Sequence, residues 1–211
     1  MKRYHYFSAA AAVLVLLSGC KEGAGPSNEI IFDDTVKKVN AEAVRAEGSD
    51  VAKAEMIDTN GERIGTVTFH EKDKAVLAEA VFQTGIPQGF HGFHIHETGT
   101  CEPDAAGGAF STAGSHYNPD GGTHGEHAGD MPVIYGLGDG SAYMYTALDK
   151  IDARRLANEQ RAVIVHSASD NYANIPDRYQ SNDQQQPGPD EETLSTGDSG
   201  NRISCGVIKS K

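Results

Sequence analysis

The chain is poor in cysteine, in basic residues and in long apolar runs. Its 211 residues include 3 cysteines, and 18 lysines and arginines stand against 30 aspartates and glutamates, for a formal net charge of −12. A surface this acidic argues against nucleic acid as a partner, and any attraction of an anionic substrate must be local. The sequence has no Cys-x-x-Cys spacing, so a site built on paired cysteines is not indicated. It also has no internal repeat.

An apolar run from Ala9 to Leu17 near the N-terminus is too short to span a membrane. It follows Lys2 and Arg3 and leads through small residues to Cys20, which is typical of a bacterial lipoprotein export signal. We therefore predict a signal peptide over 1–19 and a lipid anchor on Cys20. The protein is then exported and lipid-anchored, at the cell membrane, in the periplasm or at the cell surface. The alternative is an ordinary signal peptide cleaved elsewhere, with Cys20 incidental.

Export affects the interpretation of the other two cysteines, because thiols outside the cytoplasm tend to oxidise. If Cys20 is lipidated, Cys101 and Cys205 have a single pairing open to them. That pairing closes a loop of about 105 residues, for which chain entropy gives roughly 4.7 kcal/mol as an upper figure. Two buried thiols or two further metal ligands remain the alternative.

Composition divides the rest of the chain into a linker and one domain. Residues 20–50 mix Gly, Pro, Ser, Asn and charges with only a faint apolar pattern, which predicts a flexible tether with one short helix near 36–46. Residues 51–209 are enough for one hydrophobic core. No second domain is indicated.

Short strand-like runs separated by turn signals follow one another through this domain. Asn60-Gly61 and Gly138-Asp139-Gly140 suit tight hairpins. The runs are 51–58, 63–71, 75–83, 90–96, 131–135, 141–148, 161–166 and 202–208. They predict an all-β sandwich or flattened barrel of about eight antiparallel strands, with one or two helical turns within 149–157. Two long segments, 97–130 and 167–201, interrupt the strands, and loops of that length are usually functional.

Histidine is concentrated in the stretch 92–130, which holds five of the chain's nine. His94 and His96 are two residues apart, so on an extended strand both side chains point to one face and could bind one metal. His166 ends a later strand-like run. Imidazole donors without a carboxylate suit copper or, less distinctively, zinc.

A second group of ligand-type residues follows in the same stretch. His124, His127 and Asp130 are spaced by three with glycines between them, so a compact turn could bring them onto one metal that still lacks a fourth ligand. If His116 gives one nitrogen to each metal, a tetragonal site of four imidazoles lies beside a closed tetrahedral site. A closed site has no open position for substrate, so its metal would be structural and the other metal catalytic.

Five motifs that contain these residues resemble, in the same order, those of the copper,zinc superoxide dismutases. They are GFHIHE at 92–97, STAGSHYNP at 111–119, HGEHAGD at 124–130, VIVH at 163–166 and TGDSGNRISCGVI at 196–208. The resemblance covers about residues 51–209. Within the second long segment, the stretch from NYANIP at 171–176 through PGPD at 187–190 resembles an exported lipoprotein branch of the bacterial members.

The resemblance implies a fold, an activity and two metals. The fold is an eight-stranded antiparallel Greek-key β-sandwich or flattened barrel with two long functional loops. The activity is superoxide dismutase, which converts superoxide to oxygen and hydrogen peroxide by one-electron cycling of a copper ion beside a structural zinc ion. The implied ligands are His94, His96, His116 and His166 for copper, and His116, His124, His127 and Asp130 for zinc, with His116 as the bridge.

Further roles are implied in the same way. Asp170 matches the carboxylate that hydrogen-bonds one copper histidine and one zinc histidine. Arg202 and His116 match the catalytic residues: Arg202 attracts and docks superoxide, and His116 takes the proton that helps to release hydrogen peroxide. Cys101 and Cys205 match the family's intrasubunit disulfide. Bacterial members differ in whether and how they dimerise, so a homodimer is compatible with the resemblance and no dimer face is indicated.

Several other residues have simpler interpretations. His91 is predicted to face away from His94 and to play a supporting role, and His70 is expected to be a surface residue of a strand. Glu97 and Glu126 could bind metal, but the implied ligand sets already fill both coordination shells.

Two competing hypotheses concern function. One is a copper-binding or metal-buffering surface lipoprotein without significant turnover, which is expected to have lost a copper ligand or the active-site arginine. The other is a purely structural or adhesive sandwich domain, which leaves seven ligand-type residues without a purpose.

Overall fold

The computed structural model describes residues 49–72, 75–182 and 186–211. The predicted signal peptide, nearly all of the tether and Cys20 lie outside these residues. Within them the chain forms nine strands, one short 3-10 turn (Ser111–Ala113) and two short helices. The strands are β1 (Ser49–Asp58), β2 (Arg63–Lys72), β3 (Ala75–Phe82), β4 (Gly89–His91), β5 (Phe93–His96), β6 (Ile134–Gly136), β7 (Ala142–Leu148), β8 (Ala162–His166) and β9 (Arg202–Ser210). The helices are α1 (Ala153–Asn158) and α2 (Glu191–Thr196).

All nine strands belong to one antiparallel sheet with the order β4-β6-β7-β3-β2-β1-β9-β8-β5. Strands β4 and β5 form the two ends of that order, yet only Gly92 separates them in the chain. The sheet therefore curls round into a flattened, nearly closed barrel. Because β9 pairs with β1 and β5 pairs with β8, the connections are of the Greek-key kind. The all-β fold prediction is confirmed.

The strand count differs from the predicted eight because the run 90–96 divides at Gly92. The N–H of Gly92 donates to the carbonyl of Ala168 at 2.8 Å, and its own carbonyl accepts from the N–H of His166 at 2.8 Å. A Cβ at this position would lie 2.6 Å from the Cβ of Ser199. Glycine thus allows the second long loop to pack against the junction of β4 and β5.

Strand β6 also differs from its predicted range, 131–135. Pro132 has no N–H to donate to a ladder, and the N–H of Met131 donates instead to the carbonyl of Phe93 at 3.2 Å. Regular pairing begins only at Ile134.

The predicted helical turns are present as α1, whose first turn is capped by the Asp152 side chain accepting from the N–H of Arg155 at 3.0 Å.

Alternate residues of the strands form the main core on the inner face of the barrel. Its largest fully buried side chains include Phe69, Phe82, Phe93, Met56 and Ile95. Burial of one such side chain contributes about 1.5–3 kcal/mol, so these few positions account for much of the stability of the scaffold.

A smaller cluster lies on the outer face of β8 and β9, beneath the first long loop. It contains Phe110, Ala113, Ile164 and Cys205, and it fixes that loop against the strands that carry His166 and Arg202. Among the described residues no helix is long and apolar enough to cross a membrane.

Candidate metal centre

The strand histidines lie on the outer face of the barrel, where the two long loops cover them. Phe93, Ile95, Val163 and Val165 point into the main core, so the alternation of β5 and β8 turns the intervening residues outward. These are His94, His96 and His166, which are 0%, 1% and 4% exposed. The prediction that His94 and His96 share one face is confirmed.

The first long loop folds back onto β5 through two backbone hydrogen bonds to Ile95, and a third joins the two parts of the loop to each other. The N–H of Tyr117 donates to the carbonyl of Ile95 at 2.8 Å, that of Ile95 to Gly129 at 2.9 Å, and that of Gly129 to Tyr117 at 2.9 Å. A Cβ at Gly129 would lie 2.4 Å from the carbonyl oxygen of Ile95, so this approach requires glycine. The fold-back sets two pairs of ligand-type residues side by side: His96 with His116, and His94 with Asp130.

The first cluster consists of His94, His96, His116 and His166, with one candidate ligand atom of each within 4.8 Å of the others. Nδ1 of His96 lies 2.9 Å from the carbonyl oxygen of Gly114, and Nδ1 of His166 lies 3.1 Å from that of Gly200. A carbonyl oxygen only accepts hydrogen bonds, so both Nδ1 atoms carry the proton and both Nε2 atoms carry a lone pair.

These two Nε2 atoms face each other at 3.3 Å. Lone pairs so placed repel one another unless a cation lies between them. In His94 the Nε2 atom is 2.7 Å from the Oδ2 atom of Asp170, so Nε2 carries the proton and Nδ1 is left with a buried lone pair. That Nδ1 atom has no hydrogen-bond partner. The first cluster therefore fits a metal ion that prefers imidazole nitrogen.

The second cluster consists of His116, His124, His127 and Asp130, again with ligand atoms within 4.8 Å of one another. Nδ1 of His124 lies 3.2 Å from Nδ1 of His116 and 3.3 Å from Oδ1 of Asp130. Nδ1 of His127 is buried and lies 3.3 Å from Oδ2 of Asp130 without hydrogen-bond geometry. Three imidazoles and one carboxylate around one point are the donor set of a closed tetrahedral zinc site.

Asp170 connects the two clusters. Its Oδ2 atom accepts from Nε2 of His94 at 2.7 Å, and its Oδ1 atom accepts from Nε2 of His124 at 2.8 Å. Both imidazoles are thereby fixed in the tautomer that presents Nδ1 to a metal. The role implied for Asp170 from the sequence is the one its contacts allow.

Burial and charge set the protonation of the clusters in opposite directions. Burial lowers the pKa of His94, holds the pKa values of His96 and His166 well below the usual range, and lowers that of His116 to about 4. The first cluster is thus neutral at pH 7 and its lone pairs are available to a metal.

The second cluster retains charge. Burial lowers the pKa of His124, but its contacts with Asp130 and Asp170 outweigh burial and raise that pKa to about 9. Burial raises the pKa of Asp130, but the close contacts of its carboxylate with the imidazoles of His116, His124 and His127 outweigh burial and hold that pKa well below the usual range. Without a metal the cluster therefore keeps a proton where a cation would otherwise supply the positive charge.

Comparison with known proteins assigns the chain to a family. Residues 63–208 match the family model described as copper/zinc superoxide dismutase. The chain belongs to this family.

Named relatives agree. The Cu-Zn superoxide dismutase of Mycobacterium tuberculosis is 38% identical over 161 residues, which cover 72% of this chain and 67% of the relative. That of Escherichia coli K12 is 33% identical over 162 residues, covering 71% and 80%. A solved structure of a SOD-like protein from Bacillus subtilis matches with a TM-score of 0.56 at 24% identity, over 76% of this chain and 98% of that one, and supports the fold.

As a copper/zinc superoxide dismutase, the chain is an oxidoreductase that acts on superoxide with copper and zinc as its metals. The metal-buffering hypothesis is not favoured. It expects a lost copper ligand or a lost arginine, whereas the first cluster is complete and Arg202 is present.

Arg202 lies at the start of β9, paired with His166 at the end of β8. Its Nη1 and Nη2 atoms donate to the carbonyl oxygens of Phe110 and Gly114, each at 2.6 Å. Half-burial lowers the pKa of the guanidinium, which nevertheless stays charged at neutral pH because arginine starts far above it. The side chain is thus held rigidly beside the first cluster.

The predicted disulfide is confirmed. Cys101 in the first long loop and Cys205 in β9 are joined, with their Cα atoms 5.6 Å apart. The two open alternatives, buried thiols and further metal ligands, are excluded. The bridge ties the loop that carries the Phe110 and Gly114 carbonyls to the strand that carries Arg202.

Two histidines outside the clusters need separate comment. His91 is buried and joins segments of the scaffold: its Nδ1 atom lies 2.8 Å from the carbonyl oxygen of His166 and its Nε2 atom 2.8 Å from that of Pro87. The expectation that His70 is a surface residue is wrong. His70 does point outward from β2, since Phe69 points inward, but it is only 3% exposed and its Nδ1 atom lies 2.7 Å from Asp50.

Sequence reasoning missed several groups that orient the ligands. The carbonyls of Gly114 and Gly200 select the tautomers of His96 and His166, and no side-chain pattern identifies a backbone acceptor. The backbone N–H of Tyr172, which donates to Oδ1 of Asp170 at 2.7 Å, was also missed, although its position two residues after Asp170 was a usable signal.

Proposed function

We propose that this chain dismutates superoxide with copper held by the first cluster and zinc held by the second, His116 serving both. For His94, His96, His124 and His166 the ligand atom follows from the hydrogen bond that occupies the opposite ring nitrogen. For His116 and His127 the zinc ligand is the Nδ1 atom, which lies 3.0 Å and 3.3 Å, respectively, from an oxygen of the Asp130 carboxylate. For copper they are Nδ1 of His94 and Nε2 of His96, His116 and His166; for zinc they are Nδ1 of His116, His124 and His127 and a carboxylate oxygen of Asp130.

One observation carries the proposal: Nε2 of His96 and Nε2 of His166 face each other at 3.3 Å as unprotonated nitrogens. A protein that only packed its histidines would place a donor against an acceptor here. The backbone carbonyls of Gly114 and Gly200 prevent this, because they keep both protons on Nδ1. The two facing lone pairs are therefore favourable when a cation binds both nitrogens and repel each other when none is bound.

Bound copper supplies one-electron redox chemistry, and bound zinc supplies none. In the overall reaction two superoxide anions and two protons become one oxygen and one hydrogen peroxide. Arg202 offers the anion a fixed positive charge, because its guanidinium is anchored by two carbonyls. His116 can hold a proton at Nε2 and pass it to departing peroxide, since its Nδ1 atom stays engaged with the second cluster.

The test is superoxide dismutation by purified protein loaded with copper and zinc, compared with His116→Ala loaded in the same way. We expect the wild-type rate to exceed the variant's by orders of magnitude. Stoichiometric copper in the wild-type protein with no activity above His116→Ala would instead favour a metal-buffering role.

We further propose that the protein is exported and carries a lipid on Cys20, with residues 20–50 as a tether. The support is the sequence pattern of residues 1–20, a basic start and a short apolar run ending in small residues and cysteine. Mass spectrometry of the protein from the membrane fraction should find a lipid-modified N-terminal cysteine. Cys20→Ser should move the protein out of that fraction; a variant that stays there contradicts the anchor.

A further inference from the structure

Tyr172 lies in the second long loop and contacts the first. Its backbone N–H donates to Oδ1 of Asp170 at 2.7 Å. The same oxygen accepts from Nε2 of His124 at 2.8 Å. At the other end of the side chain, the Tyr172 hydroxyl accepts from the backbone N–H of Val133 at 2.8 Å. One residue thus touches the bridging carboxylate and the far end of the opposite loop.

The body of Tyr172 packs on the turn that carries His124. Its ring is nearly parallel to the His124 ring, with 12° between the planes and 6.5 Å between the centroids. The next residue, Gly125, is closer still: a Cβ there would lie 2.6 Å from the carbonyl oxygen of Tyr172 and 3.5 Å from its Cβ. Gly125 also has a φ of +88°. Glycine is therefore required here both by the lack of space for a Cβ and by the left-handed backbone.

The backbone of Tyr172 is held in an uncommon conformation to make these contacts. Both Tyr172 and Ala173 have a φ of 54°, in the left-handed region that costs non-glycine residues free energy. Two side chains stabilise it: Asp170 accepts from the N–H of Tyr172, and Asn171 accepts from the N–H of Ala173 at 2.8 Å. The loop is built to place this ring against the His124 turn.

We infer that Tyr172 is a positioning residue for zinc, which clamps the His124 turn of the first loop onto Asp170 in the second. The inference rests on the proposed zinc set. The clamp keeps Nε2 of His124 on the carboxylate and Nδ1 aimed into the second cluster before zinc arrives. Zinc binding then does not have to order the turn, so affinity is higher. Tyr172 is linked to the first cluster only indirectly, through Asp170, whose Oδ2 atom accepts from His94. Copper binding should therefore depend much less on Tyr172.

The experiment measures zinc affinity of the full chain by competition, titrating zinc alone into metal-free protein with a chromophoric chelator. Tyr172→Phe keeps the ring and loses the hydroxyl, and should weaken zinc binding about two- to fivefold. The effect is small for the loss of one hydrogen bond, because water can then hydrogen-bond the Val133 amide. Tyr172→Ala loses the clamp and should weaken it about 10- to 100-fold. Copper affinity, measured separately, should change less than threefold.

The matched control is Tyr135→Phe. Tyr135 is 41% exposed against 39% for Tyr172 and lies on β6, so the control removes a hydroxyl from a tyrosine of similar overall exposure that belongs to neither cluster. It should leave zinc affinity unchanged. Cobalt(II) in place of zinc adds a spectroscopic readout: its d–d absorption should shift in the Tyr172 variants and stay the same in Tyr135→Phe.

His127→Ala separates failure of this inference from failure of the proposed zinc set. If His127→Ala leaves zinc affinity unchanged, the zinc set is wrong and the inference falls with it. If His127→Ala abolishes tight binding but Tyr172→Ala binds zinc as the wild type does, only the inference is overturned. Equal losses of zinc and copper affinity in Tyr172→Ala, with a lowered melting temperature of the metal-free protein, would show a merely structural residue and also overturn it.

Discussion

Nε2 of His96 and Nε2 of His166 face each other at 3.3 Å, although neither carries a proton. In each ring the proton is on Nδ1, which donates to a backbone carbonyl. The acceptor is the carbonyl of Gly114 for His96 and that of Gly200 for His166. The two carbonyls belong to the two long loops. The loops therefore determine which nitrogen each strand histidine offers to a metal, and the lone pairs are presented before the metal binds.

Copper should stabilise the folded protein strongly, because it removes the repulsion between His96 and His166. At a copper concentration 1,000 times the dissociation constant, binding contributes about 4.1 kcal/mol. For a domain of this size that corresponds to a rise in melting temperature of about 8–16 °C. Calorimetry of the metal-free and copper-loaded protein measures it. His166→Ala should lose most of the rise while keeping the stabilisation by zinc; an undiminished copper shift in that variant would falsify the assignment of His166.

Asp170→Asn should weaken zinc binding about 10- to 100-fold. An amide has one acceptor oxygen and one donor nitrogen, so it cannot accept from Nε2 of both His94 and His124, and one of the rings loses its fixed tautomer. The measurement is chelator competition on metal-free protein. Asp177→Asn is the matched control, since Asp177 is an exposed acid of the same loop and the charge change is identical. Equal zinc affinity in the two variants would show that the carboxylate bridge does not orient the ligands.

Much of the fold could be predicted because its signals are local. The alternation of 63–69 and 75–82, the glycines of the hairpins and the spacing of His94 and His96 each depend on residues close together in sequence. The division at Gly92 could not be predicted. It depends on Ala168 and Ser199, which approach from a loop more than 70 residues away along the chain.

The same limit applies to the site. Ligand-type side chains are recognisable in sequence, so the members of both clusters could be named in advance. Their supports are the carbonyls of Gly114 and Gly200 and the backbone amide of Tyr172, groups that every residue possesses and no composition marks. The burial of His70 was missed for a related reason: alternation reports which way a side chain points and not what covers it.

Arg202→Ala should lower the dismutation rate about tenfold or more while leaving copper content unchanged. Arg202 donates to the carbonyls of Phe110 and Gly114 and is not among the proposed ligands, so its removal takes away a positive charge and not a ligand. Arg178→Ala carries the same charge change on an exposed arginine stacked over Tyr179 and should have a small effect. Normal turnover by Arg202→Ala at low ionic strength would contradict the docking role.

Removal of the disulfide should cost both stability and activity. The double variant Cys101→Ala, Cys205→Ala should lose about 2–5 kcal/mol of unfolding free energy in urea. Activity should fall further than copper content, because the bridge fixes the loop that supplies the Phe110 and Gly114 carbonyls to Arg202. Full specific activity in folded variant protein would show that Arg202 is positioned without the bridge.

The metal-free protein should be most stable near pH 6.5 and lose stability on both sides. On the acid side, the folded state holds the pKa of His116 at about 4, below the 6.5 of the unfolded chain. As pH falls from 6.5 to 4 the unfolded chain takes up the proton first, and stability falls by roughly 3 kcal/mol for this residue alone. The depressed pKa values of His96 and His166 act in the same direction.

On the alkaline side the sign reverses at His124, whose pKa is raised to about 9 in the folded state. Its contribution is fully present below pH 6.5 and is lost as pH rises from 6.5 to 9, because the folded state must then give up a proton that the carboxylates of Asp130 and Asp170 stabilise. Urea unfolding of metal-free protein at a series of pH values should show both losses. Zinc should abolish the alkaline loss, because the metal replaces that proton, and His124→Ala should abolish it without zinc. A flat alkaline limb in the metal-free wild type would mean that no proton is held in the second cluster.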